Sequence, residues 1–545
     1  RKPARLDVNR KLLEVGLAFY RQIAEQNQDN SAAASEVVVA HLRCGGILFS
    51  LGLARQSLDA YREAAARAAS LTEAYPEKSS FRQNLAAAEF GIARSLEKLG
   101  RPEAAQHYQQ AIERFQVLAK EEPAMPVFRM NLGTALTRLG AYQAGIGQTR
   151  SAETSFRLAL EESSKLPIPG NPDHHQTLAS AHQALALLLA ETSRSKDAEG
   201  HFRKALLIHE ELAASHPQSR AFQHNLSTCL LNFGALVYTS RGYKEAQSYF
   251  TRARQLAEKL AGEFPNTPGF AALLLLCCSN LNATLARDDS APELESLTDL
   301  AVDIGARLVK HHPDIPDYKL SYATILLNRG VDRERAGRLE LAEKDFLLAH
   351  DCVHDVAGQL PESPKPLILQ AKLRRSLGEV FAKRRQPKEA EGAIRKALDE
   401  IETFAKRHPG LGEVEHQRAV LHERLARFLR TAQRPAEADE AHRQAAALIN
   451  KLLDDNAPSA SYRDTQGRIF LNHGSVLFDL KRYPEALKSF DRAEGVFAKL
   501  VGDYPGDGGY QGGLAQVHFN RGDLRRTVNK LAEAAQSYRR AIELR

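Results

Sequence analysis

The chain has 545 residues, 43% hydrophobic and 26% charged, with 74 Lys and Arg against 67 Asp and Glu, 5 cysteines and no tryptophan. A mean hydropathy of −0.39 and a pI near 9.0 suit a soluble helical protein, and the composition excludes a disulfide framework and the clustered basic stripe of a nucleic-acid binder. The longest apolar run, Phe270 to Ala286, contains Asn280 and Asn282 and falls short of the roughly 20 residues of a membrane span, so a short buried helix is expected there and no transmembrane segment or signal peptide is read.

In chain order, residues 1–28 hold an amphipathic stretch, LLEVGLAFYRQIAEQ, predicted as a lone N-terminal capping helix. A helical pair is predicted over Ala32 to Tyr75 with its turn near Leu51 and Gly52, and another over Ser80 to Glu121 turning at Gly100, Arg101 and Pro102. The turn region of the third pair, from Gly140, is rich in glycine, so its first helix is expected to end early; the proline-rich stretch 165–172 then closes it.

The clearest unit runs from Phe222 to Pro265. Leu226, Leu230, Phe233 and Val237 stand three or four residues apart, which puts them on one helix face. After Ser240, Arg241 and Gly242, a second helix places Ala246, Phe250 and Ala253 on its inner face and stops before Pro265, whose ring cannot continue a helix.

That triad recurs as Ala342/Phe346/Ala349, Ala390/Ile394/Ala397, Ala438/His442/Ala445, Ala486/Phe490/Ala493 and Ala534/Tyr538/Ala541, with a step of 48 residues from 246 to 534. The sixth copy, Leu294/Thr298/Ala301, lacks an aromatic, and five glycines between 506 and 513 are expected to loosen the last helix start. A period this regular predicts an all-α solenoid in which each unit buries its apolar face against its neighbours. One array is expected: the cap at 1–28, three repeats over 32–172, middle repeats over 173–313 including the degenerate sixth, and regular repeats over 314–545.

Gly234, Ala246, Phe250 and Ala253, with Gly330/Ala342/Phe346/Ala349, Gly474/Ala486/Phe490/Ala493 and Gly522/Ala534/Tyr538/Ala541, resemble the tetratricopeptide repeat. The resemblance implies a right-handed α-α superhelical solenoid of about eleven hairpins. The unit is 48 residues here where the family's is about 34, so each helix is expected to be about two turns longer. Wording such as LGRPEAAQHYQQAI and RKLLEVGLAFYRQI is similar to the C-terminal arrays that follow the kinase domain in planctomycete-type bacterial serine/threonine kinases. Arg1 at the start and Arg545 partway along a second helix give the expectation of a piece of a longer protein.

No kinase loop, Walker motif or serine elbow occurs, so no enzyme and no cofactor is expected. His350, Cys352 and His354 lack a third ligand on one face, so no metal is assigned; His216, His312 and His408, each before a proline, are read as packing residues. Asn232, Asn280, Asn328, Asn472 and Asn520 stand two before the motif glycine position. In the family such an asparagine holds a peptide backbone, because an amide donates and accepts at once; the equally weighted alternative is a tolerated polar face. Lys372, Arg375, Lys383, Arg427, Arg430 and Arg468 make the inner face of the C-terminal half basic, and the family's carboxylate clamp is not reproduced.

The expected function is a non-catalytic scaffold that binds a protein or extended peptide, an acidic one included, along its concave groove, as a region of a bacterial signalling protein. No nucleic acid is expected as partner, and the cellular compartment is left open. The alternative is a structural array that self-associates through its end repeats.

Overall fold

Six of the hairpins are held by a ring that fills the space of a missing side chain. A Cβ on Gly234 would lie 2.7 Å from the Phe250 ring, and the same holds for Gly330 on Phe346 at 2.3 Å, Gly474 on Phe490 at 2.5 Å and Gly522 on Tyr538 at 2.5 Å. Ala246 and Ala253 are fully buried and Phe250 is 2% exposed, so the two helices approach closely around the ring. Burying such a ring stabilises the unit by about 1.5–3 kcal/mol.

The computed structural model describes residues 31–165, 171–192, 194–285, 291–455 and 459–544. The predicted cap at 1–28 and most of the proline-rich stretch 165–172 lie outside them. Among the described residues the chain is all-helical and has 22 helices in tandem hairpins.

In the first superhelical turn these are α1 (Ser31–Ser50), α2 (Ala54–Ala74), α3 (Ser79–Lys98), α4 (Ala104–Glu121), α5 (Pro126–Gly145), α6 (Thr149–Ser164), α7 (Pro172–Glu191), α8 (Ser195–Ser215), α9 (Arg220–Arg241) and α10 (Tyr243–Glu263). Then follow α11 (Pro268–Leu285), α12 (Ala291–His311), α13 (Pro316–Arg335), α14 (Leu339–Gln359), α15 (Pro364–Lys383), α16 (Pro387–Arg407), α17 (Gly412–Thr431), α18 (Pro435–Asp455), α19 (Ala460–Asp479), α20 (Tyr483–Asp503), α21 (Gly508–Thr527) and α22 (Leu531–Glu543).

Two expectations are corrected. Helix α5 does not end early: it runs 20 residues, because Gly140 sits inside it against Phe156, where a Cβ would come within 2.6 Å, and the shorter partner is α6 at 16 residues. Nor do the late glycines loosen α21. Its first turn is capped by Asp507, whose side chain accepts from the Gly509 amide, and a Cβ on Gly513 would meet the Phe497 ring at 2.6 Å. The degenerate sixth hairpin keeps its shape by a polar exchange, with Asn282 donating to Thr298 at 2.9 Å where other units place glycine against a ring.

Each odd-numbered helix packs on its hairpin partner and also on the odd-numbered helix of the next unit. The odd-numbered helices therefore form the inner wall and the even-numbered ones the outer. Among the described residues, α1 and α11 are long and apolar enough to cross a bilayer by length and composition; both are inner-wall helices, and α11 buries Leu273, Leu275, Cys277 and Cys278 in the array, as expected of the apolar run. An ion pair links successive units on the outer side: the carboxylate after the motif alanine accepts from an arginine near the following hairpin turn, as in Glu153 with Arg194 at 2.8 Å, Glu391 with Arg434 at 2.7 Å and Asp439 with Arg482 at 2.9 Å.

The superhelix closes on itself. A Cβ on Gly52 would lie 3.1 Å from Ile315, and one on Gly100 would lie 2.7 Å from the Ser363 backbone. Gly412 faces Gly147, and Gly506 presses on the backbone of Arg241 and Gly242 at 2.8–3.0 Å. These pairs are 263–265 residues apart in the chain, or five and a half 48-residue units, so eleven hairpins make two turns. Lys98 pairs with Asp317, Arg55 donates to the Gln359 carbonyl at 3.3 Å, and the Tyr504 hydroxyl donates to the Ala190 carbonyl at 3.0 Å across the same seam.

Candidate binding groove on the inner helices

Helices α15, α17 and α19 bring most of the predicted basic residues to one stretch of inner wall. Two cavities adjoin there. One, of about 280 Å³, is lined by Lys372, Arg375, Glu413, Glu423, Arg424 and Arg468 with their neighbours. The other, of about 580 Å³, begins one helical turn further on with Glu379 and Arg427 and is walled by Phe428, Ala382, Ala390 and Pro387 over His442. Their lining runs along α15 from Lys372 to Ala382, about 15 Å at 1.5 Å per residue, and is taken together as one trough.

Most of the cations in this trough are already paired. Lys372 stands 3.9 Å from Glu413, Arg427 3.8 Å from Glu379, Arg430 2.5 Å from Asp479 and Arg468 2.8 Å from Asp464. Lys383 reaches back to Glu334, donating to its carbonyl at 3.1 Å, and Arg424, which was not singled out from sequence, pairs with Glu379 at 2.9 Å. Among the described residues, Arg375 alone of the six predicted cations has no carboxylate within ion-pair distance. Burial pushes its guanidinium below the ordinary value and Arg424 acts the same way, while Glu423 and Glu379 pull it back. Beside it Glu423 is 6% exposed, and burial pushes its carboxyl up. The site thus offers one unneutralised, forked donor with a weakened acid next to it.

The predicted asparagines divide. Asn328 donates to Ser279 at 3.2 Å, Asn472 to Glu423 at 2.5 Å and Asn520 to Ser475 at 3.1 Å, each reaching the inner helix of the preceding unit. Asn280 donates to the Leu276 carbonyl at 3.0 Å within its own helix. Asn232 is half-buried on α9 and lies in the first superhelical turn, away from the trough. The recurring amide therefore stitches neighbouring inner helices together, and only Asn472 lines the trough.

The histidines read as packing residues do pack: His216 lies edge-on to Phe222 at 5.4 Å and His312 to Tyr318 at 5.8 Å, while His408 contacts Glu362 at 2.9 Å. His350 and His354 stack at 6.1 Å on the outer helix α14, and among the described residues no group of three metal-ligating side chains occurs. Sequence reasoning missed the wider cavity; of the three triads that lose the aromatic, at Thr298, Ile394 and His442, only the last contributes that residue to its lining.

Residues 90–156 and 471–545 match the tetratricopeptide repeat profile. No curated protein matches the chain. Among solved structures it is similar to BtubC from P. vanneervenii, with 21% identity over 48% of this chain and 94% of that one and a TM-score of 0.37. It is also similar to a Rap protein complexed with competence and sporulation factor, with 13% identity over 77% and 100% and a TM-score of 0.44. Yeast Tom70 matches at 14% identity over 93% and 96%, with a TM-score of 0.37. The profile is thus matched at residues 90–156 and 471–545, and the described residues form an all-α solenoid of like hairpins; proteins with tetratricopeptide-like repeats generally mediate protein–protein interaction.

Proposed function

We propose that the chain is a non-catalytic scaffold that binds an extended, acidic peptide segment of a partner protein along the trough of α15, α17 and α19. The observation that carries this is Arg375 on the inner wall, which among the described residues has no carboxylate at ion-pair distance, where the neighbouring Lys372, Arg424, Arg427 and Arg468 each have one within 3.9 Å. A trough of about 15 Å holds about four to five residues of extended chain at about 3.3 Å each, and a carboxylate of the peptide takes the Arg375 fork in two parallel hydrogen bonds.

The likeness to arrays that follow bacterial kinase domains supports a docking arm in a signalling protein. Sequencing the reading frame upstream tests that context, and an upstream frame without a kinase domain removes it.

A fluorescein-labelled decapeptide of alternating glutamate and alanine, titrated by polarisation, tests the groove. Arg375→Ala is expected to weaken it about 10–100-fold, since a hydrogen bond to a charged group contributes about 1.5–3 kcal/mol. Arg427→Ala, whose charge is shared with Glu379, is expected to cost less. Equal binding by the wild type and Arg375→Ala, or no saturable binding by the wild type, overturns the reading.

A further inference from the structure

The two cavities of the trough differ in charge. The smaller sets four Lys and Arg side chains against three carboxylates. The wider has three guanidinium groups in its lining, on Arg385, Arg427 and Arg430, and one carboxylate, Glu379. That carboxylate is shared, since it accepts from Arg424 at 2.9 Å and stands 3.8 Å from Arg427. Arg430 is bound to Asp479 at 2.5 Å. Arg385, in the exposed turn after α15 with φ +60°, has no carboxylate within ion-pair distance among the described residues. It keeps its whole charge, and Arg427 has only the more distant share of one partner.

A carboxylate satisfies one such fork. A phosphate monoester carries a charge of about −1.5 to −2 near neutral pH and three acceptor oxygens, enough to engage two guanidinium groups at once. The cavity, of about 580 Å³, has the room, and Ala382, Pro387, Ala390 and Phe428 line it beside the arginines as a surface for the stem that bears the phosphate. Asn472 gives one amide hydrogen to Glu423 at 2.5 Å and keeps a second at the same wall. A nucleic-acid strand is held by neutralising several successive phosphates, whereas along this wall Lys372, Lys383, Arg430 and Arg468 are each paired with a carboxylate of the chain. The wall has charge to spare for one phosphate.

We infer that the wider cavity binds a phosphorylated side chain of the partner segment, its phosphate held between Arg385 and Arg427. The inference deepens the peptide reading and rests on it for the source of the phosphate. Glu379 lies one helical turn beyond Arg375, about 6 Å, and the turn at Arg385 about 15 Å beyond it at 1.5 Å per residue. The phosphorylated residue therefore stands about two to four positions from the carboxylate that Arg375 takes, at about 3.3 Å each.

The test uses the whole chain and the decapeptide of alternating glutamate and alanine in two forms, with one central alanine changed to phosphoserine or to serine, titrated by polarisation. The wild type is expected to bind the phosphoserine form about 10-fold or more tighter, the worth of one added charge-assisted hydrogen bond. The comparison variant is Arg385→Gly with Arg427→Gln. Glycine relieves the left-handed backbone at 385 and the Arg427 side chain is 43% exposed, so the unit stays folded; an unchanged or higher thermal midpoint verifies this. That variant is expected to bind the two forms alike, whereas Arg375→Ala weakens both and leaves their ratio. Equal binding of the two forms by the wild type, a ratio retained by the double variant, or displacement of the phosphoserine form by inorganic phosphate or by decathymidylate as readily as by its own unlabelled copy each overturns the site. If the phosphoserine form binds through Arg385 and Arg427 while the serine form does not bind, the phosphate site stands and the Arg375 reading falls.

Discussion

Gly52, Gly100 and Gly147 in the first superhelical turn, and Arg385, Gln433 and Lys481 in the second, occupy the same place just beyond an inner helix, and all six have φ between +60° and +81°. The backbone chemistry there is shared: the amide one residue further on bonds back across the turn, as from Arg101 to the Leu96 carbonyl at 2.9 Å and from Arg482 to the Leu477 carbonyl at 2.9 Å. What differs is the neighbour. The first-turn glycines are half-buried, with Gly52 under Ile315 and Gly100 under Ser363, whereas Arg385, Gln433 and Lys481 are exposed. Helix termination alone tolerates a side chain at some cost in strain; helix termination under a second layer of protein requires glycine. The same contrast bears on self-association, because a second copy stacking its proline turns on the outer edge would meet Arg385, Gln433 and Lys481 where the internal seam has bare backbone.

The largest way to break the comparison is to write the second turn's residue into the first. Gly100→Arg forces a side chain into φ +72° and brings its Cβ to 2.7 Å from the Ser363 backbone. The left-handed conformation alone costs about 1–2 kcal/mol, and the clash is relieved only by parting the two turns. A lower thermal midpoint together with a larger radius of gyration in small-angle scattering is expected. An unchanged radius would show that the seam does not hold the turns together in solution.

Much of this was legible in the sequence, and what was not has a common cause. The hairpins, the 48-residue step and the ring-on-glycine packing are local and repeat, so Gly234 with Phe250 announces the packing of the units that keep both residues. The seam joins residues about 264 apart; the glycines that serve it are spelled like any helix-ending glycine, and periodicity says nothing of what lies above them. The inner-face cations were found, but their pairing was not, because Lys383 with Glu334 and Arg430 with Asp479 depend on how far each unit rotates on the last. For that reason Arg375 and Arg427 looked alike as residues and are not alike as ligand sites.

Acidification probes both turns at once. Burial pushes His209, in α8 of the first turn, down to about 4, and His442, in α18 of the second, down to about 3. Both stay neutral in the folded chain while the unfolded chain takes up their protons below about 6.5. Stability from these groups is therefore complete above that pH and is lost as the pH falls through the interval toward 4. Each contributes a slope of up to about 1.4 kcal/mol per pH unit. His209→Phe is expected to flatten the dependence of the thermal midpoint between pH 6.5 and 5, and a wild-type midpoint that does not move over that interval contradicts the burial of both imidazoles.

Lys481→Gly tests the comparison from the other side. It releases the left-handed strain at an exposed turn that carries no second layer, for an expected gain of about 1 kcal/mol with no change in shape, opposite in sign to Gly100→Arg.

The smallest effect belongs to the charge pair across the seam. Lys98 and Asp317 are 37% and 51% exposed, and exposed pairs contribute about 0.2–1 kcal/mol, so Lys98→Glu should part the turns only slightly and mostly at low salt. The exchanged double variant, Lys98→Glu with Asp317→Lys, should recover the wild-type radius. If the single and double variants behave alike, the seam is held by the close approach of Gly52, Gly100 and Gly506 to opposing backbone and side chains and not by charge, which would make backbone shape the sole reason the first turn keeps its glycines.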